Sequence, residues 1–169
     1  MHIDTINVTI QSPVAKAFIE ALLHDMATPA TAASAPKQQL TPPAIGAVWP
    51  EQGGIYAGLA RGDDGAPDAH LVLATATPPG SVAWQAAIDW AAGLDHEGHT
   101  DWALPTRWES ALLYANLRQH IDTEGWYWTR TPHEKDGSYA WSQDFNYGGQ
   151  GYDHKSYEGR ARAVRRLTA

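Results

Sequence analysis

His96, Glu97, His99 and Asp101 fall close together, and side chains of these types can ligate zinc or a similar cation. Their spacing is His-x-x-His in a glycine-containing loop. It is not the His-Glu-x-x-His that sets two imidazoles on one helix face. No third ligand group accompanies it, so the stretch is expected to be a polar loop that holds no metal. Nucleophilic chemistry has little to build on: the chain has no cysteine, no Ser-His-Asp arrangement and no glycine-rich phosphate loop. It is expected not to be an enzyme and to need no cofactor.

Recognition chemistry is a better match to residues 139–157, YAWSQDFNYGGQGYDHKSY. Tyrosine offers contact area at low entropic cost, while serine, glycine and asparagine adapt their hydrogen bonds. If the segment starts as a strand, Trp141, Gln143 and Phe145 share one face and Ser142, Asp144 and Asn146 the other. The first set is expected to anchor the sheet. The second, together with Tyr139, Tyr147, Gln150, Tyr152, Asp153, His154 and Tyr157, is expected to face solvent as a ligand-binding surface. An ordinary wet loop is the alternative. Arg160, Arg162, Arg165 and Arg166 fall on a strand that splits them between faces, which suits ion pairs to Asp and Glu better than an anion patch. Trp49, Trp84, Trp90, Trp102 and Trp108 are placed in the core by spacing, and Trp126 at an exposed sheet edge.

Among 169 residues, 43% are hydrophobic and 18% charged, with a formal net charge of −7. So acidic a chain lacks the positive field that gathers phosphate backbones, and nucleic acid is not an expected partner. The N-terminus has no charged n-region followed by an apolar run, so no Sec signal peptide is expected. No segment is apolar enough for membrane insertion. Residues 1–26 alternate as a strand over 2–10, then show a helical stripe that Ser12 and Pro13 can start. That stripe is too short to stand alone, so it is expected to attach the chain to a partner or to copies of itself, a trimer being the guess. Residues 27–44 have the Ala/Pro/Thr composition of a linker. The main domain is placed at 45–169.

Within it, strands are expected over 55–60 and 70–74, joined by a Gly-Asp-rich turn. A helix over 81–94 would be capped by Ser81. A second helix would start at a capping box of Thr106 and Glu109 and bury Ala111, Leu112, Tyr114, Ala115 and Leu117. From Gly125 the helical period is lost, and strands are expected over 126–131, 139–146, 152–157 and 160–167, split by DG, GG and EG turns. This order makes the class α+β.

The stretches GHTDWALPTRWES, GWYWTRT, YAWSQDF and RARAVRRL together resemble the C-terminal domain of bacterial collagen-like adhesins, a branch of the C-type-lectin-like and formylglycine-generating-enzyme-like folds. The resemblance spans about residues 45–167. Trp102, Leu104, Pro105 and Thr106 match its Trp-x-Leu-Pro-Thr element. Tyr127, Trp128 and Thr129 match its aromatic strand, Ala140 and Trp141 the Ala-Trp strand, and Ala163, Val164 and Arg165 the closing strand. Ala103 and Arg130 depart from the residues often found there, Arg and Ser, which puts the polar contacts at those points in question.

The resemblance implies a C-type-lectin-like fold with two helices and a loop-rich antiparallel C-terminal sheet, preceded by the strand–helix segment. It also implies a non-enzymatic protein that binds a cell-surface glycan or protein receptor. Such domains are frequent in prophages, so a phage or prophage receptor-binding protein is expected, located in the virion or tail. A retroelement-diversified variable protein is a minor form of this idea, since Asp, Tyr, His, Ser and Gly crowd residues 139–157. A structural virion component without ligand specificity is the alternative. The cysteine pair of formylglycine-generating enzymes, the His-x-x-x-His-x-Glu array of iron sulfoxide synthases and the calcium motifs of sugar-binding C-type lectins are all missing.

Overall fold

The run Leu71–Val72–Leu73–Ala74 is apolar at every position, as a strand covered on both faces must be. The computed structural model, which describes residues 41–62 and 65–169, shows why. Strands β1 (Val48–Trp49), β2 (Gly54–Ala60), β3 (Ala69–Ala74) and β7 (Val164–Thr168) form an antiparallel sheet in the order β1-β2-β3-β7. Leu71 and Leu73 pack with Ile55, Leu113, Leu117, Tyr127 and Phe145. Val72 and Ala74, which point the other way, pack with Trp49, Tyr56, Trp102, Leu104 and Trp128. A second antiparallel sheet holds β4 (Trp126–Pro132), β5 (Tyr139–Asp144) and β6 (Gln150–His154) in that order. Two helices, α1 (Trp84–Ala92) and α2 (Arg107–Leu117), complete an α+β arrangement. No helix among the described residues is long and apolar enough to cross a membrane. The strand and helix expected in residues 1–26, and most of the 27–44 linker, lie outside the described residues.

Helix α2 begins as its sequence dictates. Thr106 is extended, its Oγ1 accepts the Glu109 N–H at 3.1 Å, and Glu109 Oε2 accepts the Thr106 N–H at 2.6 Å. Thr106→Ala removes one half of that reciprocal pair. It should lower stability by about 1 kcal/mol in a urea titration, and no change would mean that the helix start is held elsewhere. The buried face of α2 differs from the expected one: Glu109, Ser110, Leu113 and Leu117 turn inward, while Ala111 and Ala115 are exposed. Glu109 is buried together with its ion pair to Arg166.

Three further expectations are corrected. Ser81 does not cap α1, because Val82 exchanges backbone hydrogen bonds with Gly159 at 2.8 and 3.0 Å and holds the chain extended until Ala83. The final strand starts at Val164 rather than at 160, since Arg160 is engaged through its backbone with Trp126 and Trp128 in the other sheet. Trp108 is 64% exposed. It sits in the first turn of α2 on the side away from Leu113, so helical spacing alone misplaced it in the core.

Candidate binding surface

Backbone pairing fixes which side chains of the second sheet sit together. Tyr139 lies opposite His154, Trp141 opposite Tyr152 and Gln143 opposite Gln150, while Ser142 is paired with Gly151 and Ala140 with Asp153. The outward face is the one that carries Trp141. Ser142 is 1% exposed and donates to Asp153 Oδ2 at 3.0 Å on the inner side. This reverses the expectation that Trp141 anchors the sheet and Ser142 meets solvent. The cause is the end of β5. Asp144 closes the strand by accepting the Asn146 and Tyr147 N–H groups at 2.7 and 3.1 Å. Phe145 therefore turns into the core from a turn and says nothing about the face Trp141 takes. Ala140, fully buried in the core cluster that also holds Trp128, marks the inner face instead.

On the outward face the rings form one connected group. The His133 ring lies 4.3 Å from Tyr152 and 5.8 Å from Trp141 between centroids. Trp141 meets Tyr152 edge-on at 5.6 Å, and Tyr139 meets Tyr152 and His154 at 6.0 and 5.4 Å. Such offset and edge contacts are favourable for aromatic pairs and fix the rings in place. The Arg107 guanidinium lies 3.4 Å over the Trp141 ring and 5.2 Å from that of Trp108, so it joins the two indoles. Arg107 Nε donates to Gln150 Oε1 at 2.8 Å, and Gln150 Nε2 donates to the Arg107 carbonyl at 2.8 Å and to Gln143 Oε1 at 2.9 Å. The Trp141 indole N–H is shared by the two oxygens of Glu134 at 3.2 and 3.3 Å. A hydrogen bond from its own backbone N–H, helped by that indole, holds the Glu134 carboxyl below its usual range.

The structure thus separates the residues singled out from sequence. Tyr139, Gln150, Tyr152 and His154 stand on the aromatic face. Asp144 ends β5, and Asn146 and Tyr147 occupy the turn after it, where Arg118 binds the carbonyls of Phe145 and Asn146, each at 2.9 Å. Ser142 and Asp153 lie on the reverse side, and Tyr157 flanks Trp128 in the loop after β6. Arg107, His133 and Glu134 were not legible as site residues, because their place depends on a helix start and a strand end meeting across the fold. Beyond Trp108 opens a cleft of about 530 Å³ lined by Leu59, Pro67, Trp108, Leu112 and Arg130 among others. Trp108 is common to both, so cleft and aromatic face adjoin.

The polar loop spends its side chains locally. His96 Nε2 meets Thr75 Oγ1 at 2.9 Å, His99 Nε2 the Glu51 carbonyl at 3.1 Å, and Asp101 takes the Arg165 guanidinium. No group of three or more potential metal ligands occurs among the described residues. The C-terminal arginines pair as their composition suggests: Arg160 with Asp122, Arg165 with Asp101 and Arg166 with Glu109. Arg162 is different.

The model of the Lcl C-terminal domain family matches residues 45–165. The chain belongs to the Lcl C-terminal domain family. The match takes in the whole aromatic face, the adjoining cleft apart from Arg166, and both sheets as far as the start of β7. Membership places the chain in an adhesin-like domain family. None of the curated proteins matches this Lcl C-terminal domain chain.

Proposed function

We propose that this Lcl C-terminal domain is a non-enzymatic recognition module with a C-type-lectin-like fold, and that it binds a cell-surface glycan through the aromatic face of β5 and β6. The observation that carries this reading is the joined ring system of Tyr139, Trp141, Tyr152 and His133, clamped by Arg107 and open to solvent at Tyr152, which is 53% exposed. Flat apolar rings match the C–H faces of sugar rings, while Glu134 and His154 supply acceptors and donors for hydroxyls. The rings are held by one another, so little side-chain freedom is lost on binding. The domain on this reading is the recognising head of an adhesin or of a phage or prophage receptor-binding protein.

A glycan array and whole-cell binding with the full chain test the proposal. Tyr152→Ala is expected to weaken binding at least tenfold, about 1.4 kcal/mol. Tyr157→Ala, on the far side of the sheet and 52% exposed, is expected to leave binding unchanged. Equal effects of the two substitutions, or none from Tyr152→Ala, would remove the aromatic face from the binding site.

A further inference from the structure

Arg162 is 7% exposed, yet no carboxylate among the described residues pairs with it. Its Nη1 donates to the His120 carbonyl at 3.2 Å and its Nη2 to the Ala74 carbonyl at 2.6 Å, while its Nε has no partner. A guanidinium carries five N–H donors, so two carbonyls leave most of the fork unused. Burying an uncompensated charge costs several kcal/mol. The side chain forms part of the wall of a polar cleft of about 500 Å³, which it shares with Thr77, Ser81, Tyr127, Asp122 and Arg160. No residue of the aromatic face lines this cleft.

Charge and shape narrow what could enter. Arg160 is already matched by Asp122 at 2.5 Å and by Glu124 at 3.9 Å. Of the charged side chains that line the cleft, Arg160 and Asp122 offset each other, which leaves the single positive charge of Arg162. A monoanion balances this account, whereas a phosphate dianion would set surplus negative charge beside Asp122. A carboxylate takes charge-assisted hydrogen bonds from a guanidinium, and the N–H groups of Arg162 left for one are those of Nη1 and Nη2 not engaged by carbonyls, since Nε is sealed from solvent. The volume exceeds that of a bare ion and lies within the range of small-molecule sites. The hydroxyls of Thr77 and Ser81 favour a hydroxylated body.

We propose that this cleft is a second ligand site, independent of the aromatic face, which takes the carboxylate of a small hydroxylated organic acid on Arg162. Burial presses the Arg162 pKa downward, opposed by Tyr127, and a bound carboxylate relieves that pressure.

Titration of the isotopically labelled full chain with D-gluconate, followed by NMR, tests the assignment. The expected result is a saturable shift of the Arg162 Nε–H resonance together with the Gly80 and Ser81 amides, with neither chloride nor inorganic phosphate reproducing it. Arg162→Gln should abolish the shift of the two amides, but so buried a change can unfold the chain. Ser81→Asp serves as the second variant: Ser81 is exposed at the rim, and a fixed carboxylate there should weaken gluconate binding at least tenfold while the melting temperature holds or rises. No saturable shift, the same shift with phosphate or chloride, or undiminished binding by folded Ser81→Asp protein would each overturn the proposal. None of these outcomes bears on Tyr152, so failure here is distinct from failure of the aromatic face.

Discussion

Glu109→Gln is expected to lower the unfolding free energy by about 3 kcal/mol or more, within the range for breaking one partner out of a buried ion pair. Glu109 is 8% exposed. Its Oε1 accepts from Arg166 Nε at 2.5 Å, while Oε2 accepts from Arg166 Nη2 and from the Thr106 N–H. Arg130 lies nearby, its pKa lowered by burial and by the charge of Arg166, with Glu109 opposing. The glutamine side chain keeps the volume but removes the single negative charge that faces two guanidinium groups. It also turns an amide donor toward donors. The cap adds little to the effect, because a glutamine at this position can still accept the Thr106 N–H; Thr106→Ala measures the other half of the reciprocal pair. Replacing the pair together, as Glu109→Leu with Arg166→Met, should recover most of the loss, because the unpaired charge leaves with its partner. Urea titrations of the four proteins decide the matter. A Glu109→Gln protein within 1 kcal/mol of the parent, a bound taken from the size of that penalty, would show that solvent already screens the pair.

The features legible in the sequence were those written in neighbouring residues. Thr106 and Glu109 announce the start of α2, and the run at 70–74 announces a strand, whose burial on both faces the structure adds. What sequence could not show was set by partners far along the chain. The Val82–Gly159 bridge delays α1, and no local pattern around Ser81 encodes it. Alternation through Trp141 and Phe145 failed because it was carried across the end of a strand, which Asp144 terminates with its own side chain. Half of the aromatic face was visible as Tyr139, Gln150, Tyr152 and His154. The other half hangs on Arg107, whose contact with Trp141 joins the first turn of α2 to β5. The family departures also find a physical setting. Ala103 works through its backbone, exchanging hydrogen bonds with Val164 at 3.0 and 2.8 Å, so its side chain is secondary there. Arg130 instead lines the cleft beside Trp108, where it changes the charge a ligand would meet.

Trp128→Ala is expected to cost about 3–5 kcal/mol, the usual range for removing a large aromatic from a core. Trp128 is 1% exposed and packs in the cluster that contains Trp49, Tyr56, Val72, Trp102 and Leu104. Its strand pairs with β5, where Trp128 lies opposite Ser142 behind the aromatic face. Gly159 lies flush against the indole: a Cβ built there would sit 2.9 Å from Nε1. Truncation would therefore open a void under the Val82–Gly159 bridge as well as within the core. The indole N–H also donates to the Val82 carbonyl at 3.0 Å, but that oxygen accepts the Gly159 N–H at 3.0 Å as well and would not be orphaned. Packing should thus outweigh the hydrogen bond. Trp128→Phe, which keeps a ring but no donor, should cost clearly less than Trp128→Ala, with the bond itself worth about 1 kcal/mol. Glycan binding by the phenylalanine variant should remain near that of the parent, because β5 keeps its ladder with β6. Equal destabilisation by the two substitutions would show that the bond to Val82, and not the filled volume, holds the second sheet to the segment before α1.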